Sequence, residues 1–208
     1  MPLTPAAAAV IFDFDGVIID SLPPVEIAIN GALRSHGFAP RPSAEVGRFI
    51  GPPTLSAFAE LTGAPEDSET VAAVVATYHR LYASVYLEKT VLVEGIAEVL
   101  DRLRRPRALA TSKELRFVRP LLERFGLGFD LVSAPELSEP KSATVARALE
   151  ALGTRDAVVV GDRVYDIDAA RANGLRVIGV TWGIGDREEL EGADAIVELP
   201  AQLSALLD

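Results

Sequence analysis

Ala8-Ala9-Val10-Ile11-Phe12-Asp13-Phe14-Asp15-Gly16 decides how this chain is read. The first five residues form an apolar run with β-branched and aromatic members and a turn signal behind it. That is the pattern of a strand buried on both faces. Such a strand does not end in two carboxylates unless something meets their charge, because an unpaired charge beside a core is strongly disfavoured. Strand side chains alternate, so residues i and i+2 share a side. Asp13 and Asp15 are therefore expected to converge on one point, with Gly16 letting the chain turn away steeply. Two chemical uses fit such a pair. One is a hard-cation site, since Mg2+ takes oxygen ligands and usually one or two carboxylates from the protein. The other is a nucleophile with an acid/base partner. A capped strand end, with both Asp side chains on backbone N–H groups of a turn, accounts for the pair as well.

Outward from this strand the chain changes texture twice. Ser21 is placed to cap a helix with Pro23 and Pro24 in its first turn, running to about His36 with Gly37 behind it. Further helical patterns cover 43–50, 54–62 and 66–88, and no strand pattern is visible between 20 and 88. From about 95 helices and strands alternate. Helices are predicted over 96–105, 115–125, 143–152, 165–173 and 201–207. Strands are predicted over 108–111, 129–133, 157–160, 175–181 and 195–198. Alternation of this kind predicts an α/β fold with a Rossmann-like parallel sheet covered on both faces. The helical block interrupts it after the first strand. The expected organisation is a core of 1–19 and 89–208 with an inserted all-helical cap of 20–88, its hinge at the chain crossings near 16–21 and 88–94.

Composition narrows the function. The 208 residues carry a net charge of -10, so the surface repels a nucleic-acid backbone. Cysteine is absent, which excludes disulfides, cysteine–zinc sites and cysteine nucleophiles. The two histidines, His36 and His79, have no ligand pattern around them and read as helix-surface residues. No apolar stretch approaches the roughly 18 residues of a membrane span, and no secretory leader pattern opens the chain. A cytoplasmic enzyme, monomeric, with neither nucleic acid nor membrane as partner, is the expectation.

In a parallel α/β sheet, ligands bind outside the carboxyl ends of the strands. The first strand ends at Asp13 and Asp15, and the second at Thr111-Ser112-Lys113. Lys141 follows the third, and Gly161-Asp162 with Asp166 follows the fourth. Each has an ordinary explanation. Thr111 and Ser112 stand where a helix N-cap would, Lys141 reads as a solvated lysine, and Asp162 and Asp166 share a helical face near an N-terminus that favours carboxylates. Together they place four carboxylates, two hydroxyls and a lysine along one sheet edge, which describes a Mg2+ site holding a phosphate.

The ordered set resembles the haloacid dehalogenase superfamily. Its four motifs are matched by Asp13-x-Asp15, Thr111-Ser112, Lys141 and Gly161-Asp162-x-x-x-Asp166, over residues 10 to 184. The helical block looks like that family's C1 cap. Asp20-Ser21, Gly51-Pro52-Pro53, Thr111-Ser112-Lys113, Gly161-Asp162-Arg163 and Trp182-Gly183-x-Gly185 look like its phosphoglycolate phosphatase-like branch. The resemblance implies a Mg2+-dependent phosphatase for a small phosphorylated metabolite. Asp13 would be the nucleophile that becomes an aspartyl phosphate, and Asp15 the acid and then the base. Thr111 or Ser112 would bind the phosphoryl group and Lys141 would neutralise it. Asp13, Asp162 and Asp166, with the backbone carbonyl of Asp15, would hold the metal. Gly51, Pro52, Pro53 and Lys113 would bear on substrate choice. One departure is that Pro140 precedes the lysine of the third motif, where many relatives have a proline after it.

Rival readings differ in what they require. A phosphomutase of the β-phosphoglucomutase type shares the four motifs and a similar cap. A dehalogenase would leave Asp15 without a proton to donate. A phosphonate hydrolase needs a Schiff-base lysine from the cap, and Lys89 at the hinge is the only lysine before Lys113. A phospho-accepting receiver or silent binding module shares the carboxylates, the hydroxyl and the lysine, but receivers are shorter and lack the helical block.

Overall fold

The computed structural model of the protein describes residues 7–135 and 139–207. The chain divides into two compact units, one of residues 1–20 and 92–208, the other of 21–91. In the first unit β1 (Ala9–Phe12) leads to the short β2 (Ile19–Asp20). The second unit contains α1 (Leu22–Ser35), α2 (Ser43–Val46) with a 3-10 turn over Gly47–Phe49, α3 (Thr54–Thr62) and α4 (Glu69–Lys89). Then come β3 (Val91–Leu92), α5 (Ile96–Arg102), β4 (Arg107–Ala110), α6 (Leu115–Phe125), β5 (Leu131–Ser133) and α7 (Lys141–Leu152). The chain finishes with β6 (Ala157–Gly161), α8 (Val164–Ala172), β7 (Arg176–Val180), β8 (Ala195–Val197) and α9 (Pro200–Leu207).

Six strands form one parallel sheet in the order β5-β4-β1-β6-β7-β8, and β2 pairs with β3 in a separate ribbon. The first strand of the sequence is thus central, flanked by β4 and β6. Ala9 and Ile11 point to one face, where they join Val145 and Leu149 of α7, Ile167 and Ala170 of α8, and Val159 and Val177 of neighbouring strands. Val10 and Phe12 alternate to the other face and are equally buried, as are Leu109, Val160 and Ile178. Both faces of the sheet are therefore covered, as the unbroken apolar runs require. Each such side chain contributes about 1.5–3 kcal/mol on burial, so the central strand is a rigid base for whatever follows its carboxyl end.

Helix boundaries follow local chemistry. Gly63, Gly126 and Gly153 stand just past α3, α6 and α7 in the left-handed conformation, each donating its N–H back to the helix it ends. α4 starts where the Ser68 side chain accepts the Val71 N–H at 3.2 Å. The predicted Ser21 cap is at the right position, but its hydroxyl makes no capping hydrogen bond. Within the helical unit α1 packs on α4; a Cβ on Gly31 would meet Leu81 Cδ1 at 2.7 Å. His36 joins the same pair of helices through Thr77 Oγ1 at 2.9 Å.

Candidate active site

The carboxyl edge of the sheet is assembled from the residues after β1, β4 and β6 and from the first turn of α7. Asp13 extends the ladder by one residue, its N–H donating to the Val160 carbonyl at 2.9 Å. Its Oδ1 lies 2.6 Å from Lys141 Nζ, and the same ammonium is 2.6 Å from Asp166 Oδ1. One carboxylate oxygen each from Asp13, Asp162 and Asp166 gather within 4.8 Å of one another, all three side chains buried.

Several local devices fix these groups. Pro140 occupies the N-cap of α7 and makes Lys141 its first helical residue, so the lysine read as a loop residue is held on a helix. Asn173 Nδ2 donates to the Ser142 carbonyl at 3.0 Å, and Arg147 bridges Glu139 and the Ala134 carbonyl. Asp166 serves as the helix-end carboxylate the sequence suggested: its Oδ2 accepts the N–H groups of Asp162 at 3.2 Å and Arg163 at 3.0 Å. Its other oxygen faces Lys141, so the ordinary use and the chemical use sit on different atoms of one side chain.

Asp162 is enclosed by glycines. A Cβ on Gly16 would lie 2.1 Å from Asp162 Oδ2, and one on Gly183 2.3 Å from the same atom. A Cβ on Gly185 would lie 2.2 Å from the Asp162 carbonyl, and one on Gly161 2.1 Å from Asp166 Cβ. Gly16 turns the chain, with φ of 81°, but its missing side chain also makes room for a carboxylate from another strand. The loop after β7 closes the enclosure: Ile184 N–H donates to Asp162 Oδ2 at 2.6 Å, and Trp182 Nε1 donates to the Val17 carbonyl at 3.3 Å. Arg163 Nε donates to Glu189 Oε2 at 2.9 Å and ties the far end of that loop. Ile184, Glu189 and the packing role of the glycines were not singled out by sequence reading. The Gly-x-Gly of 183–185 was the available signal.

The three carboxylates share one lysine, and the electrostatics show the deficit. Burial raises the Asp13 carboxyl well above the ordinary range; Lys141 offsets part of this, while the charges of Asp166 and Asp162 add to it. Asp162 is pushed up to about 7 by burial and by Asp166, against the opposing Ile184 N–H. Burial alone would push the Lys141 ammonium down, but Asp13 and Asp166 outweigh it and hold it above the usual lysine value. Asp162 Oδ1 is buried and has no hydrogen-bond partner among the described residues. A buried orphan oxygen costs about 1–3 kcal/mol, more for a charged group. An all-oxygen donor set, excess negative charge and one unsatisfied carboxylate oxygen together fit a hard divalent cation.

The Asp15 side chain has a partner of its own at the sheet edge: its Oδ1 lies 2.9 Å from Lys113 Nζ. α6 starts at Leu115 as predicted, with Glu114 rather than Thr111 or Ser112 at its N-cap, and Thr111 Oγ1 accepts the Lys113 N–H at 3.0 Å. Thr111 is buried and Ser112 beside it is exposed. Gly51, Pro52 and Pro53 lie in the helical unit, directly before α3.

The site can be set beside known proteins. A haloacid dehalogenase-like hydrolase family model matches residues 10–180. The chain is 31% identical to a phosphoglycolate phosphatase of Neisseria meningitidis, covering 90% of this chain and 86% of that protein. It is 30% identical to a 5'-nucleotidase of Pseudomonas aeruginosa, covering 87% and 86%. Its fold is similar to the crystal structure of a predicted phosphatase from Clostridium acetobutylicum, with a TM-score of 0.88 at 29% identity over 96% of this chain and 97% of that one. The family match over most of the chain places the protein among hydrolytic enzymes built on a parallel α/β sheet. The chain belongs to the haloacid dehalogenase-like hydrolase family.

Proposed function

We propose that this protein is a Mg2+-dependent phosphatase that hydrolyses a small phosphomonoester through an aspartyl phosphate on Asp13. The observation that carries this reading is the Asp13 carboxylate at the end of the central strand, 2.6 Å from Lys141 and within 4.8 Å of two further buried carboxylates. Asp13, Asp162 and Asp166, with the backbone carbonyl of Asp15, would hold the cation, which when bound neutralises the carboxylates and draws an anionic phosphoryl group toward them. Asp13 then supplies the nucleophilic oxygen; its bond to phosphorus forms as the bond to the leaving oxygen breaks. Asp15 gives its proton to that oxygen and afterwards takes one from the water that hydrolyses the acyl phosphate. Lys141 balances charge on Asp13 and the phosphoryl oxygens. Thr111 already accepts the Lys113 N–H, which leaves its hydroxyl hydrogen for a phosphoryl oxygen, with Ser112 beside it.

Relatives named for phosphoglycolate and for 5'-nucleotides support a small, soluble phosphomonoester as substrate class. Among the described residues no helix is long and apolar enough to cross a membrane. On the family resemblance, the helical unit is the cap, and Gly51, Pro52 and Pro53 bear on the choice of leaving group. The enzyme is proposed to act as a cytoplasmic monomer. Phosphate release from a panel of phosphomonoesters, with and without Mg2+, tests the reading. Wild type is expected to turn over only with the metal, and Asp13→Asn to fall below about one thousandth of that rate. Full activity in Asp13→Asn, or none in a folded, metal-loaded wild type, overturns it.

A further inference from the structure

We propose that Lys113 is a positioning residue for Asp15, holding it as the base for the second half of the reaction. This rests on the reading of Asp13 as nucleophile and Asp15 as acid and base. Lys113 stands three residues beyond the β4 end and reaches both of its neighbours at the sheet edge. Its N–H donates to Thr111 Oγ1 at 3.0 Å, and its ammonium lies 2.9 Å from Asp15 Oδ1. Both side chains of that pair are nearly buried, at 10% and 13% exposed, so the pairing is screened far less than a surface ion pair. Among the described residues Asp15 Oδ1 has no hydrogen-bond partner, so what fixes it is the charge contact with Lys113.

The consequence is division of labour between the two lysines. Lys141 faces Asp13 and Asp166, the nucleophile and the cation cluster. Lys113 faces the other carboxylate of the first motif. A carboxylate pinned in place by an ammonium at 2.9 Å is fixed where it can take a proton from the attacking water, which is the step that releases phosphate from Asp13. The first half-reaction leans on Lys113 less, and least where the leaving oxygen needs no proton. Removing Lys113 should therefore let Asp13 be phosphorylated by an activated ester and leave it stranded as the acyl phosphate.

The test uses p-nitrophenyl phosphate, whose phenolate leaves without protonation, and the full-length Mg2+-loaded protein. Rapid mixing reads the burst of p-nitrophenolate, and mass spectrometry of acid-quenched samples reads phosphate on Asp13. Asp15→Asn serves as the reference for a missing base. Lys113→Met is expected to show a burst approaching one equivalent, a steady-state rate at least about tenfold below wild type, and phosphoenzyme accumulation like that of Asp15→Asn. Lys113→Arg should recover part of the steady-state rate. If Lys113→Met loses burst and steady state together and carries no phosphoenzyme while Asp15→Asn does, Lys113 is a structural or phosphate-binding residue and the inference is wrong. Should Lys113→Met fail to fold, Lys113→Gln reads the same quantities. If Asp13→Asn turns over as wild type does, it is the underlying mechanism that fails.

Discussion

At Asp162, Oδ2 is held by Ile184 N–H at 2.6 Å and walled in by Gly16 and Gly183, while Oδ1 is buried with no hydrogen-bond partner among the described residues. The carboxylate therefore has one permitted direction, with its second oxygen left for a ligand. Gly183→Ala tests this directly. A methyl group at 2.3 Å from Oδ2 forces the carboxylate or the loop to move. Affinity for Mg2+, read by titration calorimetry, should fall about 10–100-fold, the range found when groups that orient metal ligands are disturbed. The fold, read by circular dichroism, should persist. Unchanged affinity would mean that Asp162 is not a ligand. The carboxylates, Thr111 and Lys141 were legible in the sequence as individuals, because strand ends can be read from apolar runs. The pairing of Asp15 with Lys113 was not. It joins side chains at the ends of two different strands, β1 and β4, which no local pattern reveals.

At the scale of elements, α8 and the loop after β7 act as one brace. Glu189 accepts from Arg163 Nε and from Val164 N–H, and Arg163 is adjacent to Asp162. Burial raises the Glu189 carboxyl, but these contacts from Arg163 and Val164 outweigh it and hold the group below its usual value. Glu189→Gln should therefore lower stability by about 1 kcal/mol at neutral pH and shift the Mg2+ dependence of activity to higher concentration. A chemical-denaturation curve and a Mg2+ titration check the two effects. No change in either would mean the brace is decorative. Elements with strong local punctuation were read accurately: α3 and α6 end at a left-handed glycine and match the predicted 54–62 and 115–125. β2 and β3 escaped because two-residue strands carry no periodicity. The start of α7 was placed two residues late because Pro140 and Lys141 read as loop, although proline is well suited to a helix entrance.

For the whole molecule, charge is the common thread. The chain carries -10 overall and concentrates carboxylates at the sheet edge, so without a cation the fold works against its own site. Asp162 binds its proton more tightly folded than unfolded, its value rising from 3.8 to about 7. The cost of ionising it is absent below the unfolded value, grows as pH rises through that window, and is complete above about 7. Asp13 acts in the same direction. Lys141, held above its usual value, contributes stability that is lost only at high pH and is constant across this range. Metal-free protein should thus melt several degrees higher near about pH 5.5 than near about pH 8, and saturating Mg2+ should raise the melting temperature most at the higher pH. A melting temperature that climbs with pH in chelator, or a Mg2+ effect confined to acid pH, contradicts this. The burial of the cluster was beyond the sequence, since strand order and the glycine enclosure are long-range facts.

The most direct measurement is to catch the covalent intermediate. Mg2+-loaded protein would be quenched in acid during turnover, reduced with borohydride, and digested for peptide mass spectrometry. The mechanism predicts that Asp13, and no other carboxylate, is converted to homoserine, and that the conversion disappears without substrate. Conversion at Asp15 instead, or phosphate release with no residue converted and undiminished activity in Asp13→Asn, would contradict it.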